Sequence, residues 1–155
     1  MIHAIYGFIA AGKTTFARAV AEERGGVVMV LDEWLVALLG TRPDPEFLTH
    51  TIRVLRPRLI EHAVHLASAG VDVVLDFSFW SRRSRDELRE HCSRAGVDVA
   101  LYWLRASRET MRTRAIQRPA SEEVFDIDAE AFDDLERRFE PLDGDEEHQV
   151  VETGG

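Results

Sequence analysis

The sequence predicts an α/β fold: a single doubly wound sheet of five parallel strands with helices on both faces. Three observations predict it. Short β-branched runs alternate with helix-length amphipathic stretches along all 155 residues. Glycine stops and Ser or Asp caps fall between these stretches, where a βα alternation needs them. A glycine turn of defined spacing, Gly7 to Thr14, joins the first apolar run to the first helix.

In chain order, Ile2–Tyr6 reads as a short buried strand and Lys13–Arg24 as a helix stopped by Gly25-Gly26. Val27–Leu31 is a second strand, expected beside the first, and a short helix over Glu33–Leu39 follows. Asp44-Pro45-Glu46 has the cap, proline and early acid of a helix start. That helix runs to Ala69, and Pro57 within it is expected to kink or divide it. Gly70 ends it, and Val71–Asp76 is the third strand. Ser81 caps a helix with Leu88, Cys92 and Ala95 on one face, and Gly96 stops it before a fourth strand, Val97–Leu104. Ser107 opens a helix to about Gln117, and Pro119 to Ile127 is irregular. Asp128–Phe139 is a helix expected to bury Ala131, Leu135 and Phe139, and His148–Val151 is the last strand. The expected organisation is one domain over residues 1–155, with a lid region at about 112–128.

No apolar run approaches the roughly 18 residues that span a bilayer, and the N-terminus lacks a basic leader, so no membrane role is expected. The single cysteine, Cys92, sits on an apolar stripe and reads as a core thiol in a reducing cytoplasm. The net charge of −9 is uneven. Residues 121–147 hold thirteen acids and two bases, a balance of −11, and the rest of the chain carries 17 bases against 15 acids, +2. Overall acidity therefore does not decide the partner. Of nineteen basic residues, Lys13 is the only lysine.

Gly7-Phe8-Ile9-Ala10-Ala11-Gly12-Lys13-Thr14 matches G-x4-G-K-[S/T], after a strand and at a helix start. The chemistry accounts for each position. Gly7 lets the chain leave the strand sharply, and Gly12 lets backbone N–H groups close around phosphate oxygens. The helix N-terminus adds partial positive charge. Lys13 can reach β and γ phosphates, and the Thr14 hydroxyl can ligate Mg²⁺. The expected ligand is ATP with Mg²⁺, held by residues 7–14 and Thr15. An ordinary glycine turn is the bland alternative.

Asp76 ends the third strand after apolar residues, as an acid near the Mg²⁺ shell does, with a cap on the turn into Ser81 as the less favoured alternative. Asp32 ends the second strand, where it can accept a hydroxyl proton or cap the next helix. Arg114 and Arg118 stand four apart on one helix face, a pair that repels itself unless an anion is near. A lid helix carrying them would bring positive charge to a transferring phosphoryl group. Arg108 and Arg112 read as solvated. Arg82, Arg83, Arg85 and Arg89 form a second basic cluster, either a solvated face or an acceptor-binding surface, with Phe77, Phe79 and Trp80 beside it. The six histidines show no metal spacing.

These residues together resemble the P-loop kinases of the AAA_33 type, and more distantly 5′-hydroxyl polynucleotide kinases, zeta toxins and chloramphenicol phosphotransferase. The resemblance rests on Tyr6-Gly7 with Gly12-Lys13-Thr14-Thr15, Leu31-Asp32-Glu33-Trp34, and Asp76-Phe77-Ser78-Phe79-Trp80-Ser81 with Arg85. It continues through Arg114-x3-Arg118 to Phe139-Glu140-Pro141 with Asp145-Glu146. It implies an ATP-dependent phosphotransferase with Lys13, Asp32 and Arg118 catalytic, Asp32 being the general base. It also implies Asp76 and Thr14 at the metal, Arg114 against the adenine, Arg118 on the phosphates, and the Glu140–Glu147 loop near the base. Asp32, Trp34, Trp80 and Arg85 would face the acceptor. Ala10 departs from the pattern, since many relatives carry glycine there. The expected acceptor is a small hydroxyl compound; a 5′-hydroxyl oligonucleotide is disfavoured for want of a basic track, and an ATPase switch acting on a protein partner is the alternative.

Overall fold

The structure, a computed structural model, describes residues 1–118 and 125–154. Five strands form one parallel sheet: β1 (Ile2–Tyr6), β2 (Val27–Val30), β3 (Val73–Asp76), β4 (Val99–Arg105) and β5 (Gln149–Glu152), in the order β2-β3-β1-β4-β5. The helices are α1 (Lys13–Arg24), α2 (Leu31–Leu39), α3 (Pro45–Ser68), α4 (Arg82–Ala95), α5 (Arg108–Gln117) and α6 (Ala129–Arg138). Alternating residues of β1 divide the core. Ile2, Ala4 and Tyr6 pack with Leu59, Ile60 and Ala63 of α3 and Leu88 and Cys92 of α4. Ile5 packs on the other face with Ala17, Val20 and Ala21 of α1. Both faces of the central strands are thus covered, as a parallel sheet requires.

The expected pairing of β2 with β1 is wrong, because β3 lies between them. Burial explains the arrangement. Every residue of β3 is buried, whereas Val27 of β2 is 42% exposed, so the drier strand takes the interior and the wetter one the edge. In the β2–β3 register Val30 stands opposite Asp76. The first crossover leaves β1 toward β2 and the last leaves β4 toward β5, so the winding reverses at β1 and a crevice opens at its C-terminal end.

Capping follows the sequence closely. Asp44 accepts from the Glu46 and Phe47 amides at 2.9 and 3.2 Å, Ser81 from Ser84 at 3.1 Å and Ser107 from Thr110 at 3.1 Å. Pro57 does not divide α3, which runs unbroken from Pro45 to Ser68. Its second half buries Leu59, Ile60, Ala63, Val64 and Ala67, and that packing holds the helix through the proline. In α6 the fully buried residue is Phe132, and Ala131, Leu135 and Phe139 are half-buried. The irregular stretch expected at Pro119–Ile127 falls mostly outside the described residues, as does the middle of the expected lid. Among the described residues no helix is long and apolar enough to cross a membrane.

Candidate functional site

The turn from β1 into α1 is built around two glycines. A side chain at Gly7 would meet the Leu104 carbonyl oxygen at 2.8 Å, and Gly12 has φ 88°, a left-handed conformation, directly before the helix. Phe8 folds inward, 4% exposed, against Trp80, Phe132 and Phe139 at ring separations of 5.4, 5.1 and 5.4 Å. Ile9 and Ala10 are half-buried, Ala11 is buried and Thr15 is exposed. Ala10 adopts φ 57°, a conformation costly for a residue with a Cβ. The side chain of Lys13 is curled back over the turn, with Nζ donating to the Phe8 carbonyl at 2.8 Å.

Asp76, 5% exposed, accepts from the Thr14 hydroxyl at 2.6 Å. Because Thr14 donates its proton there, its oxygen keeps lone pairs for a cation. The two oxygens form a hard donor set that fits part of a Mg²⁺ shell, with waters and phosphate completing it. Asp32 lies beyond them. It is not a strand-end residue: α2 begins at Leu31 after Val30, and Asp32 occupies the helix's first turn without capping it. The Val30–Asp76 register brings it to the same edge. Asp32 is exposed as a residue yet has protein closely around its carboxyl. Desolvation is the main reason its carboxyl is pushed up to about 6; Asp76 adds to the rise, and Lys13 and Arg118 oppose it. Burial likewise pushes the Lys13 ammonium down, against the pull of Asp76 and Asp32. Two carboxylates and two cations from four chain segments therefore sense one another at the end of β1.

Arg118 caps the C-terminus of α5 and is exposed. Arg114, one turn earlier, has its guanidinium directly over Gly154, in the space a side chain there would fill. Trp34 is 49% exposed on α2. Trp80 and Arg85 are not brought to an acceptor position. The Trp80 indole donates to the Gly7 carbonyl at 3.0 Å and props the glycine turn from behind. Arg85 is 2% exposed, bonded to Glu146 by two 2.8 Å hydrogen bonds and to the Phe79, Trp80 and Pro141 carbonyls at 3.0, 3.2 and 3.1 Å. Three of the four arginines of the basic cluster are paired with acids: Arg82 holds Asp86, Asp143 and Asp145, Arg85 holds Glu146, and Arg89 holds Asp86 and Glu146, while Arg83 is exposed. Arg108 is exposed, as expected, and pairs at the surface with Asp133 and Glu136. Phe77 and Phe79 are core residues, 4% and 1% exposed.

One participant escaped the sequence reading. Thr153, just past β5, donates its hydroxyl to the Ala11 carbonyl at 2.6 Å, and its amide bonds the Arg105 carbonyl at 2.7 Å. The parallel sheet is the signal that would have found it, since whatever follows β5 emerges on the same edge as the glycine turn.

Solved structures share this fold. A sugar kinase from a Janibacter species is similar with a TM-score of 0.70 and 23% identity, over 97% of this chain and 84% of that one. A gluconokinase from Sinorhizobium meliloti gives 0.65 and 19%, over 97% and 81%. Kti12 from Chaetomium thermophilum, in complex with ADP-AlF3, gives 0.64 and 20%, over 98% and 89%. No curated protein sequence matches the chain at a significant level. The AAA_33 family model, an AAA domain, matches residues 2–142. With residues 2–142 inside that model, the protein belongs to the AAA_33 family.

Proposed function

We propose that this chain transfers the γ-phosphate of ATP to a hydroxyl group of a small molecule. The observation that carries the reading is Asp32: an uncapping, solvent-open carboxylate held beside Lys13, Arg118 and Asp76. A structural aspartate has no need of that position, whereas a base for an attacking hydroxyl does. With its carboxyl at about 6, Asp32 is mostly ionised at neutral pH and still basic enough to accept a proton.

In this scheme the acceptor hydroxyl loses its proton to Asp32 as its oxygen bonds the γ-phosphorus. The bond from that phosphorus to the β–γ bridging oxygen breaks, and ADP departs with the electron pair. Lys13 exchanges the Phe8 carbonyl for phosphate oxygens, and Arg118 meets the charge on the transferring group. The Thr14–Asp76 pair would hold Mg²⁺, which when bound neutralises phosphate charge. Arg114, through its seat on Gly154, would border the base. The protein is read as cytoplasmic.

The pairing of Arg82, Arg85 and Arg89 supports a small acceptor, because a polynucleotide would need a basic track and Asp143, Asp145 and Glu146 occupy most of the one on α4. The names of the sugar kinase and gluconokinase neighbours make sugars and sugar acids the first compounds to try. A second reading, ATP hydrolysis coupled to a protein partner, draws on the fold shared with the ADP-AlF3 complex of Kti12. The test is phosphate transfer from [γ-³²P]ATP to sugars, sugar acids, nucleosides, aminoglycosides and a 5′-hydroxyl oligonucleotide at two salt concentrations. Transfer to a small hydroxyl compound, little affected by salt, is expected. Hydrolysis alone, or transfer to the oligonucleotide that collapses at higher salt, would refute the assignment.

A further inference from the structure

Thr153, the residue after β5, is hydrogen-bonded to the glycine turn. The Ala11–Gly12 peptide is planar and trans, so its C=O and N–H point in opposite directions. The Ala11 carbonyl accepts the Thr153 hydroxyl at 2.6 Å. The Gly12 N–H is therefore aimed away from Thr153, and it has no hydrogen-bond partner among the described residues. Glycine at φ 88° has no Cβ to oppose rotation of that peptide, so something else must hold it. Thr153 is well placed to do so. Its amide donates to the Arg105 carbonyl at 2.7 Å, anchoring it to the end of β4 and leaving the hydroxyl proton for Ala11. Its Cγ2 lies 3.7 Å from where a side chain on Gly12 would begin.

We infer that Thr153 is a positioning residue: its hydroxyl locks the Ala11–Gly12 peptide with the Gly12 N–H turned into the cradle, ready for a phosphate oxygen. This rests on the phosphate-cradle reading of residues 7–14. The segment beyond β5 thereby acts on nucleotide affinity from the far end of the sequence, 142 positions from Ala11.

Thr153→Val removes the hydroxyl and keeps the branched shape over Gly12; Thr153→Ser keeps the hydroxyl and drops the methyl. Binding of ADP, inorganic tripolyphosphate and adenosine to the full chain would be measured by calorimetry for all three proteins, together with melting of the free protein. The expected result is a roughly tenfold loss of ADP and tripolyphosphate affinity in Thr153→Val, near-native affinity in Thr153→Ser, and unchanged adenosine binding. A merely structural role would lower free-protein stability without separating phosphate-bearing ligands from adenosine. Unchanged tripolyphosphate affinity in Thr153→Val overturns the role of Thr153 alone. A wild-type protein that binds neither ADP nor tripolyphosphate overturns the cradle reading beneath it. If Thr153→Val does not fold, the Gly12 amide resonance of the wild-type protein decides. Fast hydrogen exchange in the free protein and a large downfield shift on adding ADP support the inference; a protected amide that ADP leaves in place overturns it.

Discussion

Glu146→Gln should destabilise this protein by about 3 kcal/mol at neutral pH, and two independent routes give that figure. Glu146 is 4% exposed and accepts from Arg85 twice at 2.8 Å, from Arg89 at 2.6 Å and from the Asp143 amide at 3.0 Å. Burial pushes its carboxyl up, and these donors, Arg85 first, more than offset it, holding it down from an ordinary 4.5 to about 2. That displacement corresponds to about 3 kcal/mol. Breaking a buried ion pair by removing one charge costs about 3–5 kcal/mol on other grounds, because Arg85 stays behind uncompensated. The carboxyl is lowered in the folded state, so its contribution is complete above 4.5 and lost as pH falls through about 2. Urea unfolding of wild type and variant would measure the gap at pH 7 and at pH 3. It should shrink to under half at pH 3, and the melting temperature at pH 7 should drop by roughly 6–12 °C. A gap below about 1 kcal/mol at pH 7, or one indifferent to pH, would refute the account of this pair.

Other perturbations address the site. Asp32→Asn should lower phosphate transfer by about 10²–10⁴ with ADP affinity intact, and wild-type kcat/KM should rise with pH through about 6 as the carboxyl ionises. A pH-independent rate between 5 and 7 would count against it. Arg118→Ala should cost about 10²–10³ in kcat and little in nucleotide affinity; a wild-type kcat would remove it from the mechanism. Ala10→Gly should stabilise the free protein by about 0.5–1 kcal/mol, since φ 57° suits glycine, and a lower urea midpoint would show the strain to be absent.

The fold was legible because its signals are local. Caps at Asp44, Ser81 and Ser107 and the left-handed glycines after α1 and α4 mark element ends through nearest-neighbour hydrogen bonds. Strand order is not local. Nothing within Val27–Leu31 announces that Val73–Asp76 will come between it and β1; that follows from comparing how dry each strand can be. The same division runs through the site. Lys13 and Thr14 belong to one contiguous motif and were readable at once, and Asp76 was readable from its strand end. Arg85 was misread because a guanidinium beside aromatics looks like a binding surface until Glu146, 61 positions later, is seen to close on it. Thr153 was invisible because it contacts the turn through one hydroxyl and a distant carbonyl, and neither carries a sequence pattern.

The uneven charge finds its explanation in the same contacts. Read linearly, the acids of residues 121–147 look like a shield that repels polyanions, and the arginines of α4 look like a site for them. In the folded chain these are two halves of one structure. Asp143, Asp145 and Glu146 close on Arg82, Arg85 and Arg89, Asp133 and Glu136 on Arg108, and Asp126 on Arg42. The exposed members of this set contribute little stability one by one, and the buried Arg85–Glu146 pair fixes where the loop after α6 lies. That loop in turn touches the strand leading into the cradle, since the Tyr6 hydroxyl donates to the Glu140 carbonyl at 2.8 Å and Phe139 stacks on Tyr6 at 5.0 Å. The acidic segment thus works as a brace on the glycine turn. With Arg82, Arg85 and Arg89 held by it, the cations that Asp32 senses are Lys13 and Arg118, both suited to the phosphates of ATP. An acceptor bringing further phosphates would compete with ATP for those two charges, whereas an uncharged hydroxyl compound would not.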